Sequence, residues 1–140
     1  MNCSRNGERP PNVSNIVLDA SAILAVIIGE PGQERLTPRL LADAVISTVN
    51  LAEVQGKLES LGWTSDEAWE DATGLLREAI PFDEQQARTA GNLLVRTRAL
   101  GLSLGDRACL ALGMALQAPV YTAERMWKRV KVGIPIHVIR

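Results

Sequence analysis

Short apolar runs alternate along this chain with longer segments whose apolar residues recur every three or four positions. The first run, Asn15 to Asp19, predicts a buried strand that ends in an acid, and Ser21 to Ile28 then predicts a short helix stopped by Gly29 and Pro31. Leu36, Leu40 and Leu41 place a second helix over Gln33 to Leu41, before a strand at Ala44 to Ser47. Asn50 with Glu53 reads as a capping box opening a helix to about Leu61, with Gly62 as its stop; Thr64 with Glu67 opens another to about Arg77. Ala79 to Phe82 is a weak strand whose proline suits a sheet edge. Asp83 with Gln86 starts a helix carrying Ala87, Ala90 and Leu94 on one face, reaching about Ala99 and ending at Gly101. Ser103 with Asp106 starts the most apolar helix, through Cys109, Leu112 and Leu116, and strands follow at Pro119 to Thr122 and Ile134 to Ile139. Strands alternating with helices imply an α/β protein with a mostly parallel central sheet and helices on both faces.

Composition changes this picture little. The 140 residues suit one domain, 46% apolar and 22% charged, with a formal net charge of −1. Without a basic excess, any polyanion has to meet a local patch. Residues 1–14 read as a polar, flexible tail without the apolar core of a signal peptide, leaving 15–140 as the domain. Cys3 falls in that tail and Cys109 in the apolar helix, so a disulfide is not expected. No apolar stretch approaches the ~20 residues of a membrane span, and the expected location is the cytoplasm.

Four acids stand where chemistry is expected. Asp19 follows the first strand, Glu53 opens the helix after the second, Asp106 opens the apolar helix, and Glu124 follows the fourth strand. Parallel sheets bind ligands outside the carboxyl ends of their strands, so all four are expected at one edge. Clustered carboxylates repel, and a hard divalent cation with a taste for oxygen ligands, Mg²⁺ or Mn²⁺, relieves that repulsion. The single histidine, His137, argues against His-rich zinc chemistry. Helix capping competes as an explanation, because an acid in a first turn stabilises its helix by about 0.3–1 kcal/mol.

Val17-Leu18-Asp19-Ala20-Ser21-Ala22, Thr48-Val49-Asn50-Leu51-Ala52-Glu53-Val54 and Leu102-Ser103-Leu104-Gly105-Asp106-Arg107-Ala108-Cys109-Leu110-Ala111 together resemble the acidic motifs of PIN-domain ribonucleases, with VapC-type toxins of bacterial toxin–antitoxin pairs as the nearest likeness. The resemblance implies a three-layer α/β/α fold and metal-dependent RNA cleavage. It makes Asp19, Glu53 and Asp106 the metal ligands and places Ser21, a polar residue, near the site. Thr122-Ala123-Glu124-Arg125-Met126-Trp127 matches the family's fourth motif except that Glu124 stands where the family has Asp, which pushes the carboxylate outward by about a bond length. A cognate VapB-like antitoxin is the implied partner. Burial in the core accounts for most of the apolar residues Ile23, Leu24, Val26, Ile27 and Ile28, and a remainder exposed beside Leu36, Leu40 and Leu61 would form a groove for it or a homodimer contact.

On this reading the cation acidifies a water that attacks the scissile phosphorus in line, leaving a 5′-phosphate and a 3′-hydroxyl. Arg125, Lys128, Arg129 and Lys131, just after Glu124, and Arg107, beside Asp106, are the candidate phosphate contacts; a solvated charged face competes with that role. Trp127 either stacks on a base or packs against the fold, with packing favoured, and Trp63 and Trp69 read as packing or partner contacts. A haloacid-dehalogenase-like phosphatase would need an Asp where Ser21 stands. A receiver-like domain would need a better-placed lysine than Lys128 or Lys131. The remaining alternative is a PIN-like module that binds RNA or protein without cutting.

Overall fold

The computed structural model describes residues 14–140. Five short strands, β1 (Ile16–Leu18), β2 (Ala44–Ser47), β3 (Glu78–Ile80), β4 (Val120–Thr122) and β5 (Ile136–Val138), form one sheet in the order β3-β2-β1-β4-β5. Every pairing is parallel. The helices are α1 (Ala20–Ile28), α2 (Pro38–Leu41), α3 (Thr48–Ser60), α4 (Ser65–Gly74), α5 (Glu84–Arg96) and α6 (Leu104–Leu116).

Side-chain alternation in the strands divides the core into two. Ile16 and Leu18 of β1 and Ala44 and Ile46 of β2 meet Ile23 of α1, Leu51, Val54 and Leu58 of α3 and Ala68 and Ala72 of α4. Val17, Val45 and Val120 point the other way, onto Leu93 of α5, Leu110 and Leu112 of α6 and the indole of Trp127. The result is the expected three-layer α/β/α arrangement, with β1 buried on both faces. Strand order reverses beside β1: the chain leaves it towards β2 and β3, then returns to β4 on its other side. The carboxyl ends of β1 and β4 therefore flank a topological switch point, where open α/β sheets hold ligands.

Five local expectations are corrected. The helix over Gln33 to Leu41 is broken in two, a 3-10 turn at Gln33–Arg35 and α2, because Thr37 precedes a proline and takes an extended conformation (φ −68°, ψ 160°) from which it caps α2. The α3 N-cap is Ser47, three residues earlier than the Asn50–Glu53 capping box; Ser47 accepts from the Val49 N–H, and Asn50 lies buried inside the helix. α4 stops at Gly74, short of Arg77, whose N–H donates to the Ala44 carbonyl and starts the β3 pairing. β3 runs Glu78–Ile80 at the sheet edge, with Pro81 just beyond it, so the strand starts one residue and ends two residues earlier than expected. On α5 the buried face is Gln86, Ala90 and Leu93; Leu94 is 44% exposed. The capping boxes of α4 and α6 stand as read. The expected tail lies outside the described residues apart from Ser14, and so does Cys3; Cys109 is a buried free thiol. Among the described residues no helix is long and apolar enough to cross a membrane.

Candidate active site

Asp19 directly follows β1 and is the N-cap of α1. Its Oδ1 accepts from the Ala22 backbone N–H at 2.9 Å, and the Ser21 hydroxyl donates to the same oxygen at 2.8 Å. Thr122, the last residue of β4, donates from Oγ1 to Asp19 Oδ2 at 2.8 Å. Both hydroxyls also accept a backbone N–H from the turn after β4, Ser21 from Ala123 and Thr122 from Glu124, which directs their protons towards the carboxylate. Two neighbouring strand ends are thus tied together through Asp19.

Burial dominates the electrostatics. Asp19 is 3% exposed, and desolvation pushes its pKa from the ordinary 3.8 up to about 7. Hydrogen bonds from Thr122, Ala22 and Ser21 pull the other way, and the charge of Asp106 adds to the upward push. The buried Cys109 thiol is raised first by burial, then by the charges of Asp19, Asp106 and Glu53. One side chain therefore feels three acids that are far apart in sequence.

Asp106 occupies the third position of α6. Its N–H donates to Ser103 Oγ at 3.1 Å, and its Oδ2 accepts from the Ser103 N–H at 2.9 Å. The residue that closes the α6 capping box also lines the cleft. Glu53 stands on α3, where Asn50 Nδ2 donates to its Oε1 at 2.9 Å. Asp19, Glu53, Asp106 and Glu124 all line one cleft of about 280 Å³, together with Ser21, Asn50 and Lys57. The ion pairs found among the described residues, Arg77–Glu78 and Arg140–Glu30, involve none of the four.

An all-oxygen carboxylate set suits a hard divalent ion. A buried acid lifted to about 7 by desolvation and a like charge is what such an ion would relieve. The four acids share the cleft without being drawn into a coordination sphere, since among the described residues no group of three His, Cys, Asp or Glu is set to hold an ion. Two of the carboxylates are engaged elsewhere, Glu53 with Asn50 and Asp106 with Ser103.

The basic candidates are placed differently. Arg107 Nη1 donates to the Ala90 carbonyl at 2.9 Å, joining α6 to α5 away from the cleft lining. Arg125, Lys128 and Arg129 lie exposed on a 3-10 turn, Arg125–Arg129, directly after Glu124, and Lys131 is exposed just beyond it. Trp127 fastens that turn to the core and is 1% exposed, so packing is its role. Trp63 is half-buried and donates to Asp71, whereas Trp69 is 51% exposed. Sequence reasoning missed Lys57 in the cleft, although its place four residues after Glu53 puts it on the same helix face. It also missed the contacts that Asn50 and Thr122 make to the acids.

A parallel α/β/α domain with an acidic cleft at its switch point defines a class of fold, and the sequence places the chain within it. A PIN-domain family model matches residues 16–133, and the chain belongs to that family. No curated protein sequence matches it. Among solved structures it is similar to VapBC2 from Rickettsia felis bound to promoter DNA (21% identity, 89% of this chain and 98% of that one, TM-score 0.68). It is similar to DNA-bound VapBC from Salmonella typhimurium (19% identity, 91% and 99%, TM-score 0.71). VapBC-5 from Mycobacterium tuberculosis, of the VapBC family of toxin–antitoxin systems, is a third (21% identity, 91% and 98%, TM-score 0.57). At these identities the likeness is one of fold.

Proposed function

We propose that this chain is a metal-dependent endoribonuclease acting as the VapC-type toxin of a toxin–antitoxin pair. The observation that carries the reading is the cleft itself: four carboxylates from four segments, one of them buried and lifted to about 7, at the switch point of a PIN-domain sheet. Asp19, Glu53 and Asp106 would hold Mg²⁺ or Mn²⁺, with Glu124 on the exposed side of the same cleft. When bound, such an ion supplies Lewis acidity at a phosphate oxygen and an acidified water at neutral pH.

The protein groups supply position. Ser21, Thr122 and the Ala22 N–H fix both oxygens of Asp19, so the carboxylate needs little reorganisation to act as a ligand. Lys57 brings a cation to the cleft lining, where an RNA phosphate next to the carboxylates would need one. Arg125, Lys128 and Arg129 extend the contact along the phosphate backbone beyond Glu124. Arg107, with a guanidinium N–H spent on Ala90, serves the packing of α5 on α6.

The partner in this reading is a VapB-like antitoxin, supported by the toxin–antitoxin complexes among the structures of like fold. Val26 and Ile27 of α1 with Leu75 and the acid Asp71 border a hollow of about 200 Å³, where apolar side chains of the partner would find contact. A homodimer is part of the same proposal. The free Cys109 fits a reducing cytoplasm.

The test is cleavage of a generic RNA by the purified chain with Mg²⁺ or Mn²⁺. Activity abolished by chelator, and absent in Asp19→Asn and Asp106→Asn, is the expected result. Binding without cleavage would favour the non-catalytic module, and full activity in both variants would remove the assignment.

A further inference from the structure

We infer that Asn50 and Gly105 form a clip that sets the position of the Glu53 carboxylate, making Asn50 a positioning residue for cation binding. The inference rests on the metal-site reading above and adds to it residues outside the acidic set. Asn50 is 1% exposed, and its Nδ2 donates twice: to Glu53 Oε1 at 2.9 Å and to the Gly105 carbonyl at 2.9 Å. Two acceptors on one nitrogen fix which end of the amide is which. Its Oδ1 is buried without a protein partner. A buried amide kept only for packing is normally satisfied at both ends, whereas this one is oriented by its donors alone. A free acceptor also suits the outward-pointing protons of a hydrated cation.

Gly105 completes the clip from α6. A Cβ built on it would lie 2.1 Å from Glu53 Oε2 and 2.6 Å from the carboxyl carbon, so the missing side chain is the space Glu53 fills. That brings the Glu53 carboxylate against the first turn of α6, whose N-terminal N–H groups favour negative charge, and next in sequence to Asp106. Asn50 thereby joins α3 to α6 at the point where each contributes an acid. Asn50→Ala and Gly105→Ala both leave all four carboxylates in the chain and dislodge one, the first by removing its donor and the second by taking its space.

The experiment is calorimetric titration of Mn²⁺ into the metal-free full chain, alongside thermal unfolding, for wild type, Asn50→Ala, Gly105→Ala and the double variant. Each single variant is expected to bind Mn²⁺ at least about tenfold more weakly. The double variant should bind no more weakly than the worse single, because both act through Glu53. Gly105→Ala should stay folded with its midpoint within a few degrees of wild type, alanine's helix propensity offsetting the lost Asn50–Glu53 bond, which separates lost positioning from lost folding. If Asn50→Ala fails to fold, Gly105→Ala decides alone. Unchanged affinity in a folded variant, or losses that add in full, would overturn the clip while the metal site stands. A wild type that binds no Mn²⁺ would bring down the metal-site reading and the clip with it.

Discussion

Replacing Asp19 with asparagine is expected to stabilise the metal-free protein while destroying its function. Asp19 holds its proton in the folded state up to a pH of about 7, whereas in an unfolded chain it would lose it near 3.8. Its favourable contribution is therefore complete below 3.8 and is lost as pH rises through about 7. The interval between 3.8 and about 7 corresponds to about 4 kcal/mol of folding free energy at pH 8. Asparagine carries no charge and avoids that cost. Its Nδ2 in place of one oxygen forfeits bonds now accepted from the Thr122 and Ser21 hydroxyls, and roughly half of the gain goes with them. A net gain of about 2 kcal/mol would raise the midpoint by about 6 °C for a chain of this size. Circular dichroism melts in EDTA between pH 4 and 8 provide the assay. Wild type should lose stability relative to Asp19→Asn as pH rises, with most of the divergence between pH 4 and 7. Added Mn²⁺ should restore the wild type and leave the variant unmoved. A variant less stable than wild type at pH 8 in EDTA, or parallel pH curves, would refute the account of Asp19 as a desolvated, cation-seeking carboxylate.

Thr122→Val removes a donor that holds the Asp19 pKa down, so the onset of divalent binding, followed by titration at several pH values, should move to higher pH. Lys57→Ala should weaken RNA binding several-fold and flatten its logarithmic salt dependence by about one unit, read by fluorescence anisotropy with the uncleavable Asp19→Asn protein as background. Trp127→Ala should destabilise by about 3–5 kcal/mol in denaturant titration, because the indole is core; a folded variant that merely binds RNA less well would return it to the interface. Gly32→Ala should cost about 3 kcal/mol or more: φ is +97°, and the new Cβ would come within 2.6 Å of the Ile139 carbonyl oxygen.

What could be read from the residues depended on how local the deciding interaction was. The capping boxes Thr64–Glu67 and Ser103–Asp106 close within three residues and read correctly. The β2 run was bounded correctly because all four of its residues are buried. The pattern Asn-x-x-Glu is shared by an N-cap box and an in-helix amide–carboxylate pair; Ser47 takes the cap three residues earlier, and the Asn50 amide turns to Glu53 and to the Gly105 carbonyl, 55 residues away. On α5 the choice between the Leu93 and Leu94 faces depends on where α6 lies, which no short window contains. The contact that Arg107 makes is set the same way, since the carbonyl that accepts from its guanidinium belongs to Ala90, 17 residues away.

The convergence of the acids on one cleft has a physical cause that makes capping and a shared site compatible. Three of them stand at helix N-termini: Asp19 caps α1, Asp106 closes the capping box of α6, and Glu53 fills the space at Gly105 in the first turn of α6. In a parallel sheet the helix that follows a strand starts at the strand's carboxyl end, so the edge that collects the site also collects positive helix termini. Those termini and their N–H groups offset part of the repulsion that crowding the acids creates. For Asp19 the offset falls short, because burial outweighs three hydrogen bonds and leaves its pKa at about 7. The remaining deficit is the part that a divalent ion would supply. It predicts that ion binding near pH 7 releases a fraction of a proton from Asp19, a fraction that falls as pH rises, which titrations in buffers of different ionisation enthalpy would detect; a release near zero at and below pH 7 would place the ion elsewhere.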